Sequence, residues 1–331
     1  MARIFLTGAS GYIGGDILYA LKSAHPEYEC SVLLRDASKA ATLSQAYPDV
    51  RVVQGDLDSG AVIAEEARRA DVVVNAASSS HINAVEAIAR GMENRTTTGH
   101  WIQVSGATVL SIPDIASGSF GEKSDKVYSD VDGAEEVRQL IQQNSAKRVV
   151  DNKLLNLTGP KTALVFPPII YGQGRGPIKQ RSVQIPELSR VAIQNRKTVQ
   201  VGKGGSTWSN VHISDISDIF VRLVEKAIEG ADDSTLWNRN GLYFAGNSML
   251  NFKGISQLIA QAAHSQGLTE DTAVTEISHE EADNVSAHAG ILWGTNARQV
   301  SQRARQLLGW VPKGITIEEE IPNTVQIEAR L

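Results

Sequence analysis

Three glycines spaced GxxGxxG stand directly after the first apolar run of the chain, and they constrain the fold more than any other feature. The run, RIFLTG (3–8), is typical of a buried strand, and residues 12–23 carry apolar side chains at helical spacing. A turn that leads from a strand into a helix leaves free N–H groups at the helix N-terminus, where a pyrophosphate binds. We therefore predict a dinucleotide site on this turn, formed by Gly8, Ser10, Gly11, Tyr12, Ile13 and Gly14.

Further apolar runs alternate with segments of helical length along the first half of the chain. These runs are apolar throughout rather than at every second residue, which is typical of strands covered on both faces. Strand–helix repetition implies right-handed crossovers and a parallel sheet. The predicted fold class is α/β, a Rossmann doubly wound parallel sheet with a smaller C-terminal substrate-binding region. The predicted strands are 30–35, 50–56, 71–77, 100–106 and 162–172, and the predicted helices between them are 38–46, 59–69 and 82–98.

The second half of the chain has a different residue pattern. Residues 107–132 are rich in Ser, Gly and Asp and predict a loop, whereas 215–230 carry the clearest amphipathic helix pattern. We predict that the dinucleotide-binding domain consists of 1–172 plus 208–247, and that 173–207 and 248–331 form the substrate-binding or lid region. The other predicted elements are a strand at 243–246 and helices at 133–143, 146–157, 252–266, 279–287 and 297–308.

Composition excludes several classes of partner. Hydrophobic residues make up 42% of the 331 residues, the net charge is −5, and no long basic run occurs, so a nucleic-acid partner is not expected. No stretch approaches the roughly 18 apolar residues of a membrane span, and no signal peptide pattern precedes the first strand, so we expect a cytoplasmic protein without a membrane partner. The one cysteine, Cys30, lies in an apolar run, and no metal-ligand spacing is present, so no metal is predicted.

Several later segments accompany the glycine turn in an order that resembles a known superfamily. These are GDLD (55–58), NAAS (75–78), PPIIYG (167–172) and WSNVHISDI (208–216). Together with TGASGYIGG they resemble the extended and atypical short-chain dehydrogenases/reductases, including proteins loosely called NAD-dependent epimerase/dehydratase. The resemblance implies that Asp56 and Leu57 flank the adenine and that Ala76 and Ala77 line the cofactor. It also suggests a homodimer, by analogy only.

The end of the second predicted strand bears on which dinucleotide binds. An acidic residue at this position would bind the ribose hydroxyls of NAD, but the sequence has Arg35 there, with Lys39 four residues on. A guanidinium matches the oxygens of a 2′-phosphate, and the resemblance implies the same. We therefore predict NADP(H), with Arg35 and Lys39 at the phosphate. Asp36 is the alternative, since its carboxylate suits the ribose hydroxyls of NAD.

The catalytic signature of the superfamily is missing from this chain. The resemblance implies a serine that binds the reacting oxygen and a Tyr-x-x-x-Lys pair, in which the lysine lowers the pKa of the tyrosine and holds the ribose. No YxxxK occurs here. Gly106 stands where the serine is expected, with Ser105 one residue earlier. Lys153 aligns with the lysine, which puts Val149 at the place of the tyrosine, and valine transfers no proton.

Other side chains are therefore the candidates for catalysis. We predict that Lys153 holds the ribose and that the proton donor is His81, Tyr171 or Tyr128, or a water molecule held by Ser105 or Thr108. His81 follows the fourth strand, at the strand ends where ligands of open α/β sheets bind; a loop or helix-capping role is its alternative. Packing under the lid is the alternative for Tyr171.

We predict from these features an NADP(H)-dependent oxidoreductase, a reductase of the atypical short-chain dehydrogenase type. Its substrate would be a small, fairly apolar carbonyl, enone or imine compound. Trp208 suits such an apolar substrate, although core packing is an equal alternative. Two other functions stay open because the tyrosine is absent. One is a redox-neutral isomerase, cyclase or epimerase on the same fold, and the other is a non-catalytic, NmrA-like regulator that senses NADP.

Overall fold

The computed structural model describes residues 1–93, 95, 97–230 and 234–331. A seven-stranded sheet forms its centre, with strand order β11-β7-β5-β4-β1-β2-β3. Every neighbouring pair in this sheet is parallel. The predicted α/β fold with a doubly wound parallel sheet is therefore confirmed. The strands of this sheet are β1 (Arg3–Thr7), β2 (Glu29–Leu34), β3 (Arg51–Gln54), β4 (Val72–Asn75), β5 (His100–Val104), β7 (Lys161–Phe166) and β11 (Leu242–Phe244).

Helices cover both faces of this sheet, which is why its strands are apolar throughout. One hydrophobic core joins the sheet to α3, α4, α6 and α7, and a second core joins the opposite face to α1 and α9. The strand order reverses at β1, so the carboxyl ends of β1 and its neighbours open a crevice there. The bounds of these helices are α1 (Tyr12–Ala24), α2 (Ala37–Ala46), α3 (Gly60–Arg69), α4 (Ile82–Glu93), α6 (Ala134–Gln143), α7 (Val149–Leu155) and α9 (Ile213–Ile228).

The remaining elements form three small sheets, seven further α-helices and two 3-10 helices among the described residues. Their strands are β8 (Ile169–Tyr171), β10 (Thr207–His212) and β12 (Ser248–Asn251) in one sheet, β9 (Thr198–Val201) with β13 (Val274–Ile277), and β6 (Tyr128–Ser129) with β14 (Gln299–Val300). The helices are α5 (Ile112–Ser117), α8 (Gln184–Gln194), α10 (Phe252–Ser265), α11 (His279–Val285), α12 (Ala289–Gly294), α13 (Gln302–Leu308) and α14 (Ile317–Glu328). The division into two domains stays a prediction.

The predicted sixth strand, 162–172, is wrong as one element. Its first part is β7 in the central sheet, and its second part is β8, which pairs with β10 in the three-stranded sheet. Pro167 and Pro168 separate the two, because a proline has no N–H for a sheet ladder.

Three other boundaries also differ from the prediction. The predicted loop 107–132 contains a 3-10 helix (Ala107–Ser111), α5 and β6, and the predicted helix at 297–308 begins with β14. The helix predicted for 82–98 ends at Glu93 in the described part of the chain, and residues 94 and 96 lie outside that part.

Candidate functional site

A cavity of about 380 Å³ lies at the carboxyl ends of β1, β2 and β4. It lies where the strand order reverses, the usual ligand position in an open α/β sheet. Asp58 and His81 line this cavity together with eight of the predicted cofactor-binding residues. These eight are Gly8, Ser10, Gly11, Arg35, Asp56, Leu57, Ala76 and Ala77.

The glycine turn forms one wall of this cavity and leaves no room for side chains at two of its positions. Gly8 has a φ of +86°, and a Cβ there would lie 2.6 Å from the carbonyl carbon of Ala76. A Cβ on Gly14 would lie 2.3 Å from the carbonyl oxygen of Gly8. The Gly11 N–H closes the turn by donating to that same oxygen at 2.8 Å. The spacing GxxGxxG thus brings β1, β4 and the start of α1 into close contact.

A second cavity, of about 330 Å³, adjoins the first and shares Gly11, Ala76 and Ala77 with it. Tyr12 and Ile13 of the predicted cofactor set line this second cavity. Its other walls come from Pro168 and Ile170 around β8 and from the segment Lys179, Arg181, Ser182, Val183 and Gln184 that leads into α8. Gly14, Lys39 and Lys153 line neither cavity.

The hydroxyl of Tyr12 is engaged within the protein. It donates to the carbonyl oxygen of Gly172 at 2.6 Å. Burial, followed by the nearby carboxylates of Asp16 and Glu320, raises the pKa of Tyr12 well above the usual range for tyrosine. Tyr12 therefore stays protonated at neutral pH and holds the loop after β8 against α1.

Adjacent residues at the end of β2 have different roles in the structure. The Asp36 carboxylate caps α2 by accepting from the Ser38 N–H at 2.9 Å and the Ser38 hydroxyl at 2.6 Å, and these bonds hold its pKa below the usual range. It does not line the cavity. Arg35 lines the cavity and is exposed. No carboxylate of the described residues lies within 4 Å of its guanidinium. The Lys39 ammonium lies 4.0 Å from Asp36.

The two candidate tyrosines lie outside both cavities. Tyr171 is 2% exposed, and its hydroxyl donates to the carbonyl oxygen of Ile315 at 2.8 Å. Burial raises its pKa far above the usual range. Tyr128 is also buried, and burial raises its pKa to about 12. Neither hydroxyl is thus placed to exchange a proton at the cavities, and for Tyr171 the packing alternative agrees with its contacts.

His81 lines the first cavity but also performs the alternative role of a helix cap. Its Nδ1 accepts from the Ala84 N–H at 3.3 Å in the first turn of α4, and its Nε2 lies 3.4 Å from the Asp58 carboxylate. His81 lines the first cavity and not the second.

The side chains that α7 buries are not the one that the sequence comparison placed at the ribose. Lys153 is exposed, while Val150, Asp151 and Leu154 form the buried face of the helix. Successive helical residues are rotated by about 100°, so an alignment that is one residue out of register turns a side chain to another face. The ribose-holding role of Lys153 stays a prediction that this exposed position does not support.

Arg148, which the sequence analysis missed, reaches the segment where the superfamily's serine is expected. Its Nη2 donates to the carbonyl oxygen of Gly106 at 3.0 Å and to the hydroxyl of Thr108 at 3.1 Å, and its Nη1 lies 3.5 Å from the Asp151 carboxylate. The sequence signal was an arginine and an aspartate three residues apart at the start of α7, a spacing that puts both on one face. Ser105, a predicted catalytic residue, is buried next to this pair.

Two other predictions concern packing and metals. Trp208 is 2% exposed and its indole N–H donates to the carbonyl oxygen of Thr295, so it packs in the core. Cys30 is buried as well, and burial raises its pKa to about 11. In the described parts of the chain no group of three or more His, Cys, Asp or Glu side chains is arranged for a metal ion. No helix in those parts has the length and apolar character to span a bilayer.

Comparison with known proteins assigns the family. The chain is 37% identical to the oxidase ucsJ of Acremonium sp., covering 99% of this chain and 97% of that protein. Among solved structures, it resembles the dTDP-glucose 4,6-dehydratase DesIV of Streptomyces venezuelae, bound to NAD (TM-score 0.66, 14% identity, covering 99% and 97% of the two chains). It also resembles the UDP-glucuronic acid 4-epimerase of Bacillus cereus, in complex with UDP-glucuronic acid and NAD (TM-score 0.62, 12% identity, 99% of each chain). The sequence profile of the NAD dependent epimerase/dehydratase family matches residues 4–236. This chain therefore belongs to the NAD-dependent epimerase/dehydratase family.

Proposed function

We propose that this protein is an NADP(H)-dependent oxidoreductase that acts on a small, fairly apolar carbonyl, enone or imine compound. The observation that carries the proposal is the pair of adjoining cavities on the glycine turn: Arg35 lines one of them, and Ile13, Pro168 and Ile170 give the other an apolar inner wall. The name of the fungal relative, an oxidase, supports redox chemistry on this fold.

The residues of the first cavity fit a nicotinamide dinucleotide. The close backbone contacts at Gly8 and Gly14 bring the N-terminus of α1 against the cavity, where its free N–H groups would bind a pyrophosphate. Arg35 offers a 2′-phosphate a guanidinium that no carboxylate of the described residues pairs with, whereas Asp36 is occupied in capping α2. When bound, the cofactor would supply or accept a hydride. The side chains of Leu57 and Ala76 line the cavity for its apolar adenine face.

The second cavity is suited to the substrate and the nicotinamide. Ile13, Pro168 and Ile170 provide an apolar inner wall, and Lys179 and Arg181 are the charged side chains among its lining residues. Arg181 is held by Glu328 and Glu187 at 2.7 Å each, so its charge is balanced. These side chains would enclose an apolar substrate and exclude water from its reacting carbon.

The test of this function has two steps. Titration of the purified protein with NADPH and NADH, followed by nicotinamide fluorescence, should give tight binding of NADPH and weak binding of NADH. A panel of aromatic and aliphatic aldehydes, diketones, enones and cyclic imines is then assayed for NADPH oxidation. Absence of binding to either dinucleotide would overturn the proposal, and NADH-favoured binding would overturn its NADP(H) part.

One observation favours a second candidate, a cofactor-binding protein that performs no net redox reaction. Among the described residues that line the two cavities Tyr12 is the one tyrosine, and its hydroxyl is already bonded to Gly172. A redox-neutral isomerase, or a regulator that senses NADP, carries out no net reduction and therefore needs no tyrosine hydroxyl to protonate a reduced product. Such a protein would bind NADPH tightly and oxidise none with any carbonyl of the panel.

A further inference from the structure

A third cavity, of about 240 Å³, lies between the loop after β8 and the helix α14. Gly172 lines it from the loop, and Glu320 and Ile327 line it from α14. It shares Arg181 and Ser182 with the second cavity, whereas none of the residues that line the first cavity reaches it. The third cavity therefore adjoins the candidate substrate cavity without belonging to the dinucleotide site.

The Glu320 carboxylate gives this cavity a buried charge without a counterion. Glu320 is 6% exposed. Its Oε1 accepts from the Asn323 amide at 3.1 Å and from the Thr324 hydroxyl at 3.3 Å, whereas no described residue donates to its Oε2. No Lys, Arg or His side chain of the described residues forms an ion pair with it. A glutamate this buried is normally paired with a cation, because an unpaired buried charge is costly.

Neither Arg181 nor His212 balances the charge of Glu320. The Arg181 guanidinium already contacts two carboxylates, those of Glu328 and Glu187, at 2.7 Å each. Burial lowers the pKa of His212, although the nearby charge of Glu320 acts to raise it, so the imidazole is neutral at neutral pH. The charged side chains that line the third cavity are Arg181, Glu320 and Glu328, which leaves one negative charge in excess.

The lining of the third cavity suits an organic cation better than a metal ion. A divalent metal ion takes several oxygen or nitrogen ligands, and the described residues offer no group of three or more His, Cys, Asp or Glu side chains arranged for one. An organic ammonium group can bind to a single carboxylate, since it carries its own N–H donors and Oε2 is an acceptor. Pro186 and Ile327 give the cavity apolar wall for the carbon part of such a ligand.

We propose that the third cavity binds a small organic ammonium compound, whose charged group donates to Glu320 and whose carbon atoms pack against Pro186 and Ile327. The compound is a ligand separate from the substrate, because Arg181, held by its two carboxylates, lies between the second and third cavities. This site goes beyond the proposed function and does not depend on it.

Direct binding of simple amines tests the site without a known substrate. Butylammonium and benzylammonium are titrated into the wild-type protein at neutral pH by calorimetry, with 1-butanol and benzyl alcohol as uncharged probes of similar shape. The titrations are repeated on Glu320→Gln, which removes the charge and keeps an oxygen to accept from Asn323 and Thr324. Glu318→Gln is the matched control, because it removes an exposed carboxylate from the same helix.

We expect wild type and Glu318→Gln to bind an ammonium probe with equal Kd, and Glu320→Gln to bind it about tenfold or more weakly. The alcohols should bind all three proteins weakly and alike. Without ligand, Glu320→Gln should unfold at the same or a higher urea concentration than wild type, because it removes an unpaired buried charge.

Three results would contradict the proposal. No binding of either ammonium probe to wild type, or equal Kd values for wild type and Glu320→Gln, would overturn the site, while the dinucleotide titrations test the proposed function separately. Unfolding of Glu320→Gln at a clearly lower urea concentration would make Glu320 a structural residue instead. A KM raised by Glu320→Gln for 4-(aminomethyl)benzaldehyde but not for 4-methylbenzaldehyde would place the ammonium group on the substrate and overturn the separate ligand.

Discussion

The carboxylate of Asp16 on α1 receives three hydrogen bonds from Arg175, in the loop after β8. The backbone N–H and Nε of Arg175 reach Oδ1 at 2.8 and 2.9 Å, and Nη2 reaches Oδ2 at 2.6 Å. The Ser217 hydroxyl donates to Oδ2 at 2.7 Å, and Asp16 is fully buried. The pair joins the helix that follows the glycine turn to the loop that leads into the wall of the second cavity.

We predict that Asp16→Ala reduces both stability and cofactor affinity. The change leaves the guanidinium of Arg175 without its partner and should lower the free energy of unfolding by about 3–5 kcal/mol. The loop that it holds should then shift and weaken NADPH binding. Urea unfolding and NADPH titration measure the two effects. Ser217→Ala, which removes one of the four hydrogen bonds, should cost about 1 kcal/mol; an Asp16→Ala protein as stable as this control would contradict the prediction.

Arg35→Ala should reduce affinity for NADPH selectively. Loss of a charge-assisted bond to the 2′-phosphate is expected to raise the Kd of NADPH by about tenfold or more, with little change for NADH, which has no such phosphate. Fluorescence titration with both dinucleotides measures this.

The neighbouring Asp36→Ala is the matched control for Arg35→Ala. It should lower the stability of the protein through loss of the α2 cap, with the preference for NADPH unchanged. A preference that depends on Asp36 and not on Arg35 would reverse the assignment.

Tyr171→Phe should leave turnover within about twofold of the wild-type rate for any substrate that the panel yields, because its hydroxyl bonds to Ile315 and lines neither cavity. Stability should fall by about 1 kcal/mol, since the Ile315 carbonyl loses its donor. Steady-state kinetics and thermal unfolding measure the two effects. A large fall in kcat with unchanged stability would restore Tyr171 as a proton donor.

The pair His25 and Glu225 should make stability depend on pH. Burial alone lowers the pKa of His25, but hydrogen bonds to Glu225 at 2.8 Å and to Glu27 at 3.1 Å outweigh burial and raise it. The pair therefore contributes fully below the unfolded pKa of about 6.5, and the contribution is lost as the pH rises through the folded pKa.

We expect the stability gap between wild type and His25→Gln to be larger at pH 5.5 than at pH 8.5, as measured by urea unfolding. The variant Glu225→Gln should reduce that difference between the two pH values. A gap that stays constant across this range, or widens with rising pH, would show that the pair does not titrate in this way.

The sequence by itself determined the parallel sheet and the glycine turn. Both depend on local pattern: strands buried on two faces are apolar throughout, and Gly8 and Gly14 are positions where any side chain would collide with backbone. The family resemblance also rests on short segments, and each of them can be recognised without knowledge of its tertiary contacts.

The tertiary structure alone decided which distant segments the candidate side chains contact. Tyr171 is bonded to Ile315, 144 residues later, and Arg148 to Gly106, 42 residues earlier; no local pattern contains such pairs. On α7 Lys153 is exposed and Asp151 is buried, and Arg148, just before the helix, reaches back to Gly106. The direction of a side chain depends on its place around the helix axis and on the distant segment that it contacts, and neither can be read from its neighbours in the sequence.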